Sequence, residues 1–246
     1  HARKMMEQLA EMEKISKQNG DANQKFKISI PRGSYIANGF TAFVSELQIN
    51  HGIDITINET NALKTISNVT DRGYNMGIIR YQKSDEDYFK TCLKNNKLEH
   101  ETIWAFEYVL VMSIKHPLAY KPVITVEDLQ DYVKITHADI DAPHTKTTGK
   151  TIASGKAPES KTIYVYERGS QFDLLADVPT TYMWVSPIPD SYLEKNRLVQ
   201  RACKMENNLY KDVLIYRQDY QLGEYDKLFQ KKIYESKVEV AAAKYN

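Results

Sequence analysis

Arg32, Arg80 and Arg168 are the side chains best placed to do chemistry, because each follows a segment that reads as a β-strand. Loops that leave parallel strands gather at one end of a sheet, where ligands bind. A guanidinium presents a planar fork of donors that holds a carboxylate through paired hydrogen bonds. Three of them converging would give a cleft a positive potential, with nothing equally acidic expected to answer it. Each alone also reads as a solvated surface charge, the commoner case. Ser34, after Pro31-Arg32-Gly33, is either a plain helix N-cap or part of an anion site built on the free N–H groups of that turn. His137 reads equally as a ligand contact or a loop cap.

Other chemistry finds little support. There is no Gly-x-Ser-x-Gly, no Gly-x-Gly-x-x-Gly and no phosphate-binding Gly-Lys-Ser run, so no catalytic residues are expected. Glu59, Glu107 and Glu167 have no spacing that makes them a working carboxylate pair. His100, His116, His137 and His144 lack ligand-like spacing with Cys or acidic residues, so neither a metal nor another cofactor is expected. Cys92 and Cys203, the two cysteines, read as partly buried thiols of a cytoplasmic protein. With 33 basic and 32 acidic residues, the chain lacks the basic surplus of a free-standing nucleic-acid binder. Its 17 tyrosines therefore read as core and interface residues rather than a base-stacking surface. No apolar run approaches the ~18 residues of a membrane span, and no basic-then-apolar signal segment opens the chain. The opening His1, in place of methionine, suggests a piece of a longer protein.

The elements that must position these groups alternate along the chain. Residues 3–18 read as a helix with Met5, Leu9, Met12 and Ser16 on one stripe. From residue 25, Phe26, Ile28 and Ile30 alternate as in a strand, and Ile36, Phe40, Phe43, Val44 and Leu47 recur at helical spacing to about 48. A strand at Ile53, Ile55 and Ile57 precedes a helix at Leu63, Ile66 and Val69, and 76–81 is an apolar strand of the kind buried on both faces. Such β-α-β-α-β order predicts a parallel sheet with right-handed crossovers. A helix over 85–94 and one or two strands over 102–114 lead to a second unit. That unit has strands at 133–137, 161–166 and 180–185, with helices near 170–177 and 189–196. The polar stretch 138–160 reads as a loop with a short helix at 150–155. Strands at 198–204 and 210–216 and a helix from 224 to 238 close the chain. Two such α/β units side by side leave a cleft, the favoured place for a small ligand.

Between the units, His116-Pro117-Leu118-Ala119 follows a buried strand at 108–114. Thr125 is placed to cap a short helix, Asp128-Leu129-Gln130-Asp131-Tyr132. This run, with Lys27-Ile28-Ser29-Ile30, Glu59-Thr60-Asn61, Met76-Gly77-Ile78-Ile79-Arg80-Tyr81 and the closing helix at 225–234, resembles the effector-binding domain of LysR-type transcriptional regulators across almost all of 25–237. The resemblance implies a type 2 periplasmic-binding-protein-like α/β fold, two Rossmann-like lobes with a ligand cleft between them. It places the end of a linker helix at 1–24, one lobe at 25–103 plus 205–246, and the other at 104–204. Crossings would fall near 101–106 and 201–206. The chain departs from the family's Gly-rich run, having Leu175-Ala176-Asp177-Val178-Pro179-Thr180-Thr181 instead.

The resemblance also implies a function: sensing a small, anionic metabolite and modulating transcription. Effector contacts would come from Arg32, Gly33, Ser34 and Tyr35, from Thr60 and Asn61, from Arg80, from Thr136 and His137, and from Glu167, Arg168, Gly169, Ser170 and Gln171. The expected partners are the effector and a second copy of the chain, or a tetramer in the full-length protein. DNA would be met only through a winged helix-turn-helix outside this chain. The helix at 34–48 carries more apolar surface than a sheet-facing stripe needs, and in the family it packs against a partner's second lobe. A solute-binding receptor for a transporter is the alternative on the same fold.

Overall fold

A computed structural model describes residues 24–47, 53–138, 161–166 and 168–242. The expected helices at 3–18 and 150–155 lie outside them. The elements run β1 (Gln24–Ile30), α1 (Ser34–Glu46), β2 (Ile53–Glu59), α2 (Ala62–Asp71), β3 (Met76–Gln82), α3 (Glu86–Asn95) and β4 (Leu98–Glu107). They continue with β5 (Val109–Ser113), β6 (Val133–His137), β7 (Thr162–Val165), α4 (Arg168–Asp177), β8 (Thr181–Val185), α5 (Asp190–Lys195), β9 (Leu198–Arg201), β10 (Leu209–Arg217) and α6 (Glu224–Ala241).

The strands form two five-stranded sheets, ordered β2-β1-β3-β10-β4 and β7-β6-β8-β5-β9. In the first, β1 pairs in parallel with β2 and β3, while β10 runs antiparallel to β3 and β4. In the second, β6 pairs in parallel with β7 and β8, and β5 runs antiparallel to β8 and β9. The two sheets repeat one plan, and each includes a strand that enters directly from a crossing. The chain leaves the first sheet at Tyr108 and returns through 202–208. Residues 101–106, where a crossing was expected, are the middle of β4, because β4 stays paired with β10 as far as Glu107.

Strand alternation sends side chains to both faces. Phe26, Ile28, Ile30, Met76, Ile78 and Leu214 meet α1 and α6 on one face of the first sheet, through Ile36, Phe43, Phe229 and Ile233. Ile79, Tyr81, Val213 and Ile215 meet α2 and α3 on the other, through Ile66, Val69, Phe89 and Leu93. α6 thereby covers part of the apolar surface of α1, with Phe40, Val44 and Leu47 only partly buried. Ile36 and Phe43 are fully buried, and Phe40 lies against Phe43 and Phe229. Gly39 lets the helices approach this closely, since a Cβ there would lie 3.0 Å from the Ile233 Cα and the Lys232 carbonyl oxygen.

The second sheet has α4 and α5 on one face, but its other face is covered by the 114–132 segment. Leu118, Ile124 and Leu129 pack there on Leu110, Met112 and Tyr182. Two consecutive turns hold His116 and Ala119, and Arg201 donates to the carbonyls of Ala119 and Lys121, the latter at 2.6 Å. His116 is buried, its Nδ1 accepting the Leu118 N–H at 3.0 Å and its ring 4.4 Å from Tyr132. The expected helix at 128–132 is a single 3-10 turn, Glu127–Leu129. The acidic partner expected for Thr125 is in place: Asp128 accepts the Thr125 N–H at 2.9 Å, and also the Lys121 ammonium.

Candidate functional site

The cleft holds a pocket of about 160 Å³ reached by loops of both units: Pro31 and Arg32 after β1, Thr60 to Ala62 after β2, Arg80 to Gln82 on β3, Tyr108 at the crossing, Tyr210, and His137 at the end of β6. Asp85 and Phe89 complete its wall. Most ligand pockets measure roughly 300–1,000 Å³, so this one fits only a small metabolite unless the units part.

Helices α2 and α3 begin at this pocket, at Ala62 and beside Asp85, and α1 begins two residues after pocket-lining Arg32. The first residue of α1 is Ser34, so the N-cap is Gly33 and not Ser34 as expected, because Gly33 keeps an extended backbone at φ −132°. A Cβ on Gly33 would lie 2.8 Å from Arg80 Nη2, so glycine is the residue that lets the turn pass over the guanidinium. Asn61 caps α2 by accepting the Lys64 N–H at 2.9 Å. Helix N-termini present partial positive charge and unfilled donors.

Arg80 does not serve as a free carboxylate receptor. It lies directly across from Asp212 in the β3–β10 register. Its Nε and Nη2 each donate to that carboxylate at 2.7 Å, with the side chains 8% and 0% exposed. Burial alone would lower the Arg80 pKa, but the Asp212 charge and hydrogen bonds outweigh it, so the guanidinium stays firmly charged. The Tyr35 hydroxyl donates to the same carboxylate, and the ring meets Trp104 edge-on at 5.3 Å. Desolvation, followed by Asp212, raises the Tyr35 pKa well above its ordinary value. Tyr35 is fully buried, behind the cleft rather than in it.

Arg168, too, has an acidic partner: its Nη1 donates to Glu59 Oε1 at 3.0 Å. The expectation that nothing acidic would answer these arginines therefore fails, since strand register and the approach of the units supply Asp212 and Glu59. Of the expected contact residues, Arg32, Thr60, Asn61, Arg80 and His137 line the pocket. Thr136 lies on β6 outside that lining, and Gly169 and Ser170 are exposed on the first turn of α4. Gln171 is buried with its Oε1 lacking a hydrogen bond among the described residues. Glu167 lies outside the described residues.

Sequence reasoning missed the aromatic wall. Tyr108 and Tyr210 stack at 3.9 Å with 6° between ring planes, and Arg80 sits 4.9 Å over Phe106. Asn208 ties the crossings together, accepting from Tyr108 N–H at 3.3 Å and donating to its carbonyl at 2.8 Å. A charged residue within the apolar run of β10 was the available signal for Asp212. Among the described residues, no group of His, Cys, Asp and Glu converges to hold a metal, and no helix is long and apolar enough to cross a membrane.

Two lobes of one sheet plan, joined by two crossings around a pocket, define the type 2 periplasmic-binding-protein-like fold. Solved structures with this architecture include regulatory domains of the LysR family. The regulatory domain of MetR, a LysR family regulator from N. meningitidis, is 17% identical with a TM-score of 0.57, covering 88% of this chain and 95% of that one. The effector-binding domain of QuiR in complex with shikimate is 15% identical with a TM-score of 0.56, over 87% and 96%. A full-length OxyR variant from Pseudomonas aeruginosa is 13% identical with a TM-score of 0.59, over 96% of this chain and 75% of that one. At these identities the likeness is one of fold. No protein-family model matches the chain, and no curated protein matches it.

Proposed function

We propose that this chain is the effector-binding domain of a LysR-type transcriptional regulator, sensing a small anionic metabolite in the interlobe cleft. The observation that carries this reading is the pocket itself: it lies on the first lobe but is also lined by Tyr108 of the first crossing and His137 of the second lobe, so a ligand there is coupled to lobe angle. The fold neighbours favour a regulator over a transport receptor, since those named above are regulators. Arg32 and the N-termini of α1 and α2 support an anion. So does the shikimate complex of QuiR, because shikimate carries a carboxylate.

In this reading the lobe carrying β1–β4 and β10 turns against the lobe carrying β5–β9 about Tyr108 and 202–208. The chain pairs with a second copy, acts in the cytoplasm without catalysis, and reaches DNA through a separate domain joined by residues 1–24. Closure becomes regulation when the pair has two arrangements that differ in effector affinity, with a coupling of roughly 1–3 kcal/mol. A thermal-shift screen of organic acids, amines and sugars tests the ligand class. A ligand at a hundred times its dissociation constant stabilises by about 2.7 kcal/mol, and acids are expected among the hits. Hits confined to amines would overturn the anion. Unchanged small-angle scattering with a saturating acid would overturn the switch.

A further inference from the structure

The ion pair between Arg168 and Glu59 joins the two lobes at the border of the pocket. Glu59 ends β2, one residue before pocket-lining Thr60, and Arg168 opens α4 just beyond β7, the strand beside β6 and its pocket residue His137. The side chains are 17% and 26% exposed, so water screens the pair only in part. The arginine is also held from its own lobe, 5.5 Å from the Phe172 ring and 5.8 Å from the Tyr192 ring. Those rings favour a cation in place whether or not Glu59 is there. Arg168 is thus pre-set as a seat for an acid group, and the chain's own carboxylate occupies it.

We infer that Glu59 stands in for the ligand's acid group on Arg168, and that this competition sets which ligands the cleft accepts. The inference rests on the anion-sensing reading and adds its selectivity. A carboxylate ligand exchanges one carboxylate for another on Arg168, while a neutral ligand of the same shape leaves the pair intact or breaks it without replacement. Removing the Glu59 charge therefore helps anions alone.

The test uses lactate and its neutral isostere lactamide as probes, titrated by calorimetry against the whole chain. Glu59→Gln is expected to bind lactate about fivefold more tightly than the parent, the order of effect of a partly screened ion pair, with lactamide unchanged. Arg168→Gln is expected to weaken lactate both alone and combined with Glu59→Gln. Equal gains for lactate and lactamide in Glu59→Gln, or no gain for lactate, would overturn the inference. So would a Glu59→Gln protein that takes up no lactate at all. Acids found by screening that bind regardless of Glu59 would overturn this seat and leave the sensing reading standing. A normal Glu59 effect without any change of lobe angle would do the reverse.

Discussion

Replacing Asp212 with asparagine should damage the first lobe more than its small change in shape implies. Asp212 is fully buried and receives Arg80 Nε and Nη2, each at 2.7 Å, together with the Tyr35 hydroxyl. An asparagine keeps the volume but removes the charge, and its amide hydrogens must face Arg80 or Tyr35, both donors there. Breaking a buried pair from one side strands the other charge and costs about 3–5 kcal/mol. Whole-domain stability is of the order of 5–15 kcal/mol, so the loss is a large share. The chain's two tryptophans make the effect readable, because Trp104 lies on β4 in the first lobe and Trp184 on β8 in the second. Urea unfolding of single-tryptophan versions should place the loss in the Trp104 transition. Arg80→Met with Asp212→Leu should cost less than Asp212→Asn, since removing both charges leaves none stranded. A loss below about 1 kcal/mol for Asp212→Asn would refute the reasoning, because only a solvated pair is worth so little. A double variant as unstable as the sum of the single changes would refute it too.

His116 should make stability fall on the acid side. Burial holds its folded pKa down at about 4 against the ordinary 6.5, so the unfolded chain takes the proton first. The contribution is complete above pH 6.5 and shrinks as pH falls toward 4, by up to about 1.4 kcal/mol per pH unit. Urea midpoints against pH for the parent and His116→Gln should show a shallower slope in the variant. Gly39→Ala should cost about 1–3 kcal/mol in the same assay, since the added Cβ meets α6 backbone that cannot swing aside.

Much of the fold was legible because its signals are local. Phe26, Ile28 and Ile30 alternate within one strand, residues 76–79 are apolar on both faces, and α1 repeats its apolar residues every three or four positions. Each pattern is complete within a short window, so element type and order follow from it. The electrostatics of the site were not legible in this way. Arg80 and Asp212 stand 132 positions apart, and they oppose one another only once the β3–β10 register is set. Glu59 and Arg168 meet only when the lobes come together. The N-cap of α1 fell one residue before Ser34 for a different reason, the extended backbone at Gly33, which leaves no periodic trace. The Thr125–Asp128 pairing was legible because it needs only two residues three positions apart, although the helix after it is a single 3-10 turn.

The position of β10 bears on how the chain is made. In the first sheet β3 and β4 are not neighbours, because β10 lies between them. As the chain leaves the ribosome, β4 has no strand to pair with until residues 209–217 appear, and α1 waits longer still for α6 to cover Phe40 and Phe43. The second sheet has no such delay, since all five of its strands lie between Val109 and Arg201. The lobe inserted in the middle of the sequence can therefore finish folding while the lobe that began first remains open. During that interval, the unpaired edges of β3 and β4 are the part of the nascent protein most in need of protection from aggregation.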